Sequence, residues 1–355
     1  YQHKAKILLC MSNLEPTILE RSKLLNIREF REDLEINTLS PFATKSKYSA
    51  GRKKDENPCE IRTCFQRDRD RIVHSKSFRR LMHKTQVFIS PEGDHYRTRL
   101  THTMEVAQIA RTIARALNLS EDLTEAIALG HDLGHTPFGH LGESDLNNIV
   151  CGGFRHNEQS VRVVEFIEKN GKGLNLTEEV IDGILNHRGK GNPKTLEGKI
   201  VQISDKIAYV NHDIDDAIRS GILKENDLPK EYTKILGDSS HNRIDFLIKN
   251  IIKNSYEKDN IIISTFVKEA LYGLRQFLFE NVYFSNNLAI ERKKYCNILS
   301  KMYEFYISNF SEIPHEFICM YEKDDTLSEK STIVCDYIAG MTDRFAMTTY
   351  KKLFF

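Results

Sequence analysis

Long apolar runs are missing from this chain. No stretch approaches the ~18 residues that a membrane span needs. No charged start followed by an apolar region and a small-residue cleavage site marks a secretory signal, so the cytoplasm is the expected compartment. Cysteine pairs with metal-ribbon or redox spacing are also absent. The seven cysteines sit at 10, 59, 64, 151, 296, 319 and 335, and no two are separated by two residues. That pattern fits a reduced compartment rather than a disulfide scaffold. Charge of one sign is lacking too. A formal net charge of +1 predicts no general attraction to nucleic acid or membrane. Glycine and proline are sparse, at 18 and 8 of 355 residues, and charged residues make up 28%. With long Leu, Ile, Ala, Glu, Lys and Arg stretches, this composition points to a mostly helical protein. The length and the 40% hydrophobic content allow a substantial core.

Against that background, residues 1 to about 60 read as an irregular lead-in, with helical character from Leu14 to Leu39 and a polar, turn-rich stretch to Pro58. Thr63 to His83 reads as one basic helix, and Thr85 to Thr98 as a short β-hairpin turning at Pro91 to Asp94. Helices are expected over 101–117 and 121–130, followed by a loop from Gly134 to Gly142. Further helices are expected over 156–169, 177–186, 197–220, 243–254, 262–282, 288–308 and 329–352. The Arg52 to Arg80 stretch is basic, but Asp68 and Asp70 interleave with its arginines. A helix laced with Arg–Asp pairs is the favoured interpretation. A polyphosphate or single-stranded DNA surface is the sharper one, weakly supported because only Phe65 and Phe78 interrupt the basic residues.

The chemistry concentrates elsewhere. His131, His135 and His140 fall within ten residues, next to Asp132 and Glu143. His102 upstream and Asp205 downstream complete a His, His-Asp, Asp set, which suits a divalent metal held by imidazole nitrogen and carboxylate oxygen. Each part comes from a different helix, as in a site built inside a bundle. Two imidazoles and two carboxylates leave positions of an octahedral ion open to water and a substrate oxygen. Arg99 lies near one helical turn before His102. Tyr209 and Asp213 follow Asp205 at i+4 and i+8, on one helix face.

Together these residues resemble the HD-domain superfamily of metal phosphohydrolases, and more narrowly the bacterial dGTPase family of deoxynucleoside triphosphate triphosphohydrolases. The resemblance is carried by 62–71, 83–88, 91–105, 128–143, 153–159, 184–188, 195–198, 205–216 and 335–344, in the family's order. Residues 1 to about 40 and 222–325 carry none of it. The implied fold is all-α: an HD-domain helical bundle over 61–220 with a small β-hairpin, an N-terminal arm over 1–60, and a helical C-terminal region over 221–355. The implied reaction hydrolyses a dNTP, dGTP among them, to deoxynucleoside and inorganic triphosphate. His102, His131, Asp132 and Asp205 would hold Mn²⁺, Mg²⁺ or Fe²⁺. His140 would lie beside the scissile phosphate, oriented by Glu143, with His135 and His156 as further active-site histidines. Arg99 and Lys206 would contact phosphate and Gln86 the sugar and base. Tyr209 would stack on the sugar and Asp213 approach its 3′-OH, selecting deoxyribose. The family also implies a homo-oligomer (tetramer or hexamer) and, in some members, an activating nucleotide. The alternatives are another HD phosphohydrolase, such as a nucleotidase or phosphodiesterase, and a nucleotide- or single-stranded-DNA-binding regulator of low turnover.

Overall fold

The computed structural model of the chain describes residues 26–86, 97–283, 295, 297–322 and 329–355. Sixteen helices are labelled here. They are α1 (Ile27–Thr38), α2 (Cys64–Val73), α3 (Lys76–Arg80), α4 (Arg99–Ala116), α5 (Glu121–Gly130), α6 (Gly139–Ile149), α7 (His156–Arg162) and α8 (Glu178–Asn186). They continue as α9 (Leu196–Arg219), α10 (Lys230–Leu236), α11 (Ser240–Ser255), α12 (Thr265–Leu278), α13 (Ile298–Ser308), α14 (His315–Glu322), α15 (Lys330–Ala339) and α16 (Asp343–Phe354). Among the described residues the only sheet-like pairings are two isolated antiparallel bridges, Arg52–Thr177 and Thr85–Thr98. The expected hairpin falls mainly on 87–96, outside the described residues.

Side-chain caps fix where the site-bearing helices begin. Thr98 and Thr101 form a reciprocal capping box at the start of α4. Ser120 accepts from Leu123 N at α5, where Glu121 and Asp122 add favourable charge. Thr195 accepts from Gly198 N at the start of α9. The basic 63–83 stretch is not one helix. It breaks at His74, because the Ser75 hydroxyl accepts from Phe78 N and starts a new helix. Helix α6 likewise begins inside the stretch expected as a loop. Phe138 and Gly139 adopt left-handed backbone conformations (φ 61° and 58°), and the chain then turns straight into helix, so His140 and Glu143 are helical.

Helices α4, α5 and α9 pack on one another, with α2 against α5 and α8 against α5 and α9. Their apolar faces merge into one large core with residues from α11 and α12, including Leu247, Leu271 and Leu274. A second core joins Phe138, Leu146 and Phe154 to α13, α15 and α16. The arginines of the basic stretch pair with acids: Arg52 with Asp68, Arg62 with Asp70, and Arg67 and Arg71 with Glu56.

The turn after α5 lies hard against α7. Gly134 N donates to Ser160 Oγ (2.9 Å), which donates to His131 O (2.8 Å). A Cβ on Gly134 would sit 2.2 Å from Ser160 N. Gly134→Ala is therefore expected to lower unfolding stability by about 1–3 kcal/mol, read as a reduced urea midpoint. An unchanged midpoint would show that the turn does not seat on α7.

Candidate metal centre and active site

Helix α5 ends at His131, whose Nδ1 lies 2.6 Å from Ala128 O. A carbonyl only accepts, so the ring proton is on Nδ1 and Nε2 keeps a lone pair. That Nε2 is buried and has no partner in the protein. It lies 3.8 Å from Asp205 Oδ1 and 4.0 Å from Asp132 Oδ1. His102 Nε2 from α4 is 3.1 Å from Asp205 Oδ1 of α9. Two donors each ~2.1 Å from one cation stand about 3.0–4.2 Å apart, depending on the angle between them. All three separations fall in that range. The ligand atoms of His102, His131 and Asp132 also lie within 4.8 Å of one another. The four residues expected from the sequence thus converge and fit a divalent cation.

Electrostatics prepare these groups as ligands. Burial alone would raise Asp132, but the Arg99 guanidinium holds it well below its ordinary value. Arg99 Nη1 donates to Asp132 Oδ2 at 2.7 Å, with both side chains buried. Burial would likewise raise Asp205, but the hydrogen bond with His102 together with the neighbouring His131, His102 and His187 rings outweighs it and holds the carboxyl down. His102 alone runs the other way: burial is outweighed by the bond to Asp205 and the charges of Asp205 and Asp132, so it is raised and must give up its Nε2 proton to bind a cation.

Beside the centre lies a stack of imidazoles. His135 is fully buried, and neither ring nitrogen has a partner. Burial pushes it well below the usual histidine range, so it is neutral. It stacks on His156, with centroids 4.6 Å apart and an interplanar angle of 19°. Glu143 Oε1 lies 3.1 Å from His156 Nδ1 and accepts from His156 N (3.1 Å) and Arg188 Nη1. Its Oε2 is 3.5 Å from Nδ1 of His140, an exposed ring at the mouth. Arg99 reaches Asp132 rather than standing free, yet its Nε and Nη2 are buried without partners. Gln86 is buried beside Gly139, and its Oε1 also lacks a partner.

The other expected substrate residues face α12. Lys206 Nζ donates to Tyr272 Oη at 3.3 Å. Tyr209 is raised by burial, partly countered by a hydrogen bond from Arg275. Asp213 accepts a short hydrogen bond from Tyr283, while its Oδ1 has no partner. Tyr272, Arg275 and Tyr283 come from a stretch where the sequence displays no motif.

Two histidines escaped separate notice in the sequence. His187 ends α8 as His131 ends α5, with Nδ1 2.7 Å from Ile184 O and Nε2 3.2 Å from His156 Nε2. Burial, with His131 and His156 nearby, pushes it down to about 3. His212 lies beside His102 and places Nδ1 3.1 Å from Glu105. The spacing of His187 after an apolar helix is the signal that could have found it.

The class this fold and site define is the HD-domain phosphohydrolase. The HD domain family matches residues 99–210, and the phosphohydrolase-associated domain family matches 261–352. The chain is 58% identical over 330 residues to the deoxyguanosinetriphosphate triphosphohydrolase-like protein of Caldanaerobacter subterraneus subsp. tengcongensis, covering 93% of this chain and 96% of that one. It is 52% identical over 339 residues to the protein so described from Clostridium perfringens, covering 93% and 98%. A phosphohydrolase from Bacteroides thetaiotaomicron shares the fold, with a TM-score of 0.50 at 19% identity over 79% of this chain and 67% of that one. The chain belongs to the deoxyguanosinetriphosphate triphosphohydrolase-like family.

His131→Ala is expected to lose tightly held Mn²⁺ or Fe²⁺ by elemental analysis while keeping a cooperative melt. Full metal content would show that His131 is not a ligand. A second expectation concerns Asp213, which burial raises to about 7 against the hydrogen bond from Tyr283. An acid raised in the fold stabilises it fully only below its unfolded pKa near ~3.9, and stability falls as pH climbs toward the folded value. Asn does not titrate. Asp213→Asn should therefore gain about 2–3 kcal/mol more over wild type at pH 8 than at pH 5, at roughly 1.4 kcal/mol per pH unit. Equal urea-unfolding gains at both pH values would refute the raised pKa.

Proposed function

We propose that the protein hydrolyses deoxynucleoside triphosphates to deoxynucleoside and inorganic triphosphate. The observation that carries this is the convergence of the four-residue metal set with Arg99, which is bonded to Asp132, and with the His135–His156–Glu143 group beside it. Metal ligands, anion-binding groups and proton-transfer groups then share one centre. The family membership and the names of the relatives support a nucleotide as substrate.

His102, His131, Asp132 and Asp205 would hold the cation, for which Mn²⁺, Mg²⁺ and Fe²⁺ suit mixed imidazole and carboxylate donors. When bound, the cation supplies Lewis-acid polarisation of the α-phosphate and a lowered pKa for water. The protein does the rest. Arg99 holds Asp132 ionised and offers two buried, unpartnered N–H edges to phosphate oxygens. Neutral His135, with both nitrogens free of protein partners, can donate one hydrogen bond to the same phosphates. His140 sits at the mouth with Nδ1 toward Glu143, which leaves Nε2 to exchange a proton with water or the leaving oxygen. Tyr209 and Asp213 would face the sugar, with Gln86 toward sugar and base and Lys206 toward phosphate. Asp213 Oδ1 is open to accept from a 3′-OH.

Chromatography of products tests this. The protein is incubated with Mn²⁺ and each dNTP, alone and with dGTP added, and with GTP as the ribose control. Deoxynucleoside and triphosphate should appear in equal amounts, GTP should survive, and Asp205→Ala should lose at least about a hundredfold in rate. Turnover that needs the added dGTP would reveal an activating nucleotide. Orthophosphate or a nucleoside monophosphate as first product would assign a different phosphohydrolase reaction.

A further inference from the structure

His156 is gripped from both ring edges, and the two grips come from adjacent residues at the end of α8. On one edge His156 Nδ1 lies 3.1 Å from Glu143 Oε1 and 3.2 Å from Arg188 Nη1. On the other, His156 Nε2 lies 3.2 Å from His187 Nε2. Two facing imidazole nitrogens form a hydrogen bond only if one carries the proton and the other does not. The local structure decides which. His187 Nδ1 faces Ile184 O at 2.7 Å, and a carbonyl can only accept. The His187 proton is therefore on Nδ1. The ring is 1% exposed, and no carboxylate is bonded to it to stabilise a second proton. Its Nε2 is left as an acceptor, so His156 Nε2–H is the donor, and His156 Nδ1 is then an acceptor from Arg188 Nη1, which also donates to the Glu143 carboxylate facing that nitrogen.

We propose that His187 is a positioning residue of the reaction: by accepting from His156 Nε2–H it fixes the tautomer and ring plane of His156, and so the orientation of the stacked His135. Neither nitrogen of His135 is bonded to the protein, so its plane is set by ring contacts, of which the near-parallel 4.6 Å stack on His156 is closer than the tilted 5.5 Å contact with His140. A His156 ring free to turn would release His135 from the angle at which it meets the phosphates. It would also loosen the Glu143 carboxylate that orients His140. His187 itself touches no substrate. It acts through His156, as outer-shell partners act through the ligands they orient.

The kinetic side of this proposal rests on the triphosphohydrolase activity proposed above, so the test has two independent readouts. The first compares His187→Leu, which keeps bulk but offers no acceptor, with His187→Gln, whose amide oxygen can accept from His156 Nε2–H. His187 also packs edge-on against His131 at 5.0 Å, so metal content is measured in both variants. The expected result is a kcat on the order of 10–100-fold lower for His187→Leu. Metal content and KM should stay within about twofold, and His187→Gln should recover most of the loss. A merely structural residue would not separate Leu from Gln in this way. Wild-type kcat in His187→Leu, or a Gln variant no better than Leu, overturns the proposal.

The second readout needs no turnover. In ¹⁵N-histidine-labelled wild-type protein, the ring assigned to His156 by its disappearance in His156→Gln should carry its proton on Nε2. It should lose that fixed pattern in His187→Leu. A bare Nε2 on His156 overturns the proposal whatever the kinetics show. Absence of triphosphate release by the wild type, with the Nε2 proton in place, would instead overturn the substrate assignment and leave the hydrogen bond established.

Discussion

A histidine that ends a helix can return its Nδ1 proton to the carbonyl three residues back, and this site depends on that local device. The last carbonyls of a helix have no partner within it. His131 satisfies Ala128 O at the end of α5, and His187 satisfies Ile184 O at the end of α8. Each bond also sets a tautomer. With Nδ1 protonated, Nε2 of both rings is a lone pair turned inward: one toward the metal position, the other toward His156. Helix termination and ligand chemistry are thus one event, and the rest of the centre is arranged around these two lone pairs.

Burial makes the arrangement stringent. His102, His131, Asp132, His135, His156 and His187 are each at most 5% exposed, so every charge needs a partner and every polar atom a use. Arg99 and Asp132 neutralise each other at 2.7 Å. Removing one partner of such a buried pair typically costs about 3–5 kcal/mol, because the other charge is left uncompensated. The C-terminal helices complete the frame. Lys84 Nζ donates to His135 O and to Ala339 O, which ties the turn after the metal ligands to the end of α15. Asp343 at the start of α16 accepts from Phe138 N, Thr85 N and Thr85 Oγ1, pinning the turn that launches α6. The associated domain therefore braces the catalytic loops from behind, and the second apolar core holds that brace in place.

The metal set was legible in the sequence because metal chemistry restricts residue type and because His131 and Asp132 are adjacent. His102 upstream and Asp205 downstream complete a donor set of the same residue types, and the HD-type resemblance implies the same four. Helix α9 and its Asp205–Tyr209–Asp213 face were also legible, since an uninterrupted 24-residue helix keeps i, i+4 and i+8 aligned. Three boundaries were not: the expected 329–352 helix stops at Ala339 and restarts at Asp343, where the Thr342 side chain accepts from Phe345 N. Ser75 restarts a helix where the basic pattern runs on, and Phe138 enters a left-handed conformation that its residue type does not advertise. His187 was hidden for a different reason. It binds nothing through sequence neighbours except a carbonyl, and its partner His156 lies 31 positions away.

The residues facing α9 were invisible for the same reason of distance, and they bear on the sugar recognition proposed above. Tyr272 meets Lys206, Arg275 meets Tyr209 and Tyr283 meets Asp213, across sequence separations of about seventy. The face of α9 proposed to meet substrate is thus already hydrogen-bonded by α12 and the segment after it. Under the proposed function a sugar hydroxyl would meet an Asp213 whose one oxygen is taken by Tyr283 and whose other has no protein partner. The carboxylate can hold both hydroxyls at once, one from the protein and one from the ligand. Burial resists ionisation of Asp213 until donors surround it. A second O–H donor would favour the charged form, so sugar binding in the proposed site would go with ionisation of Asp213.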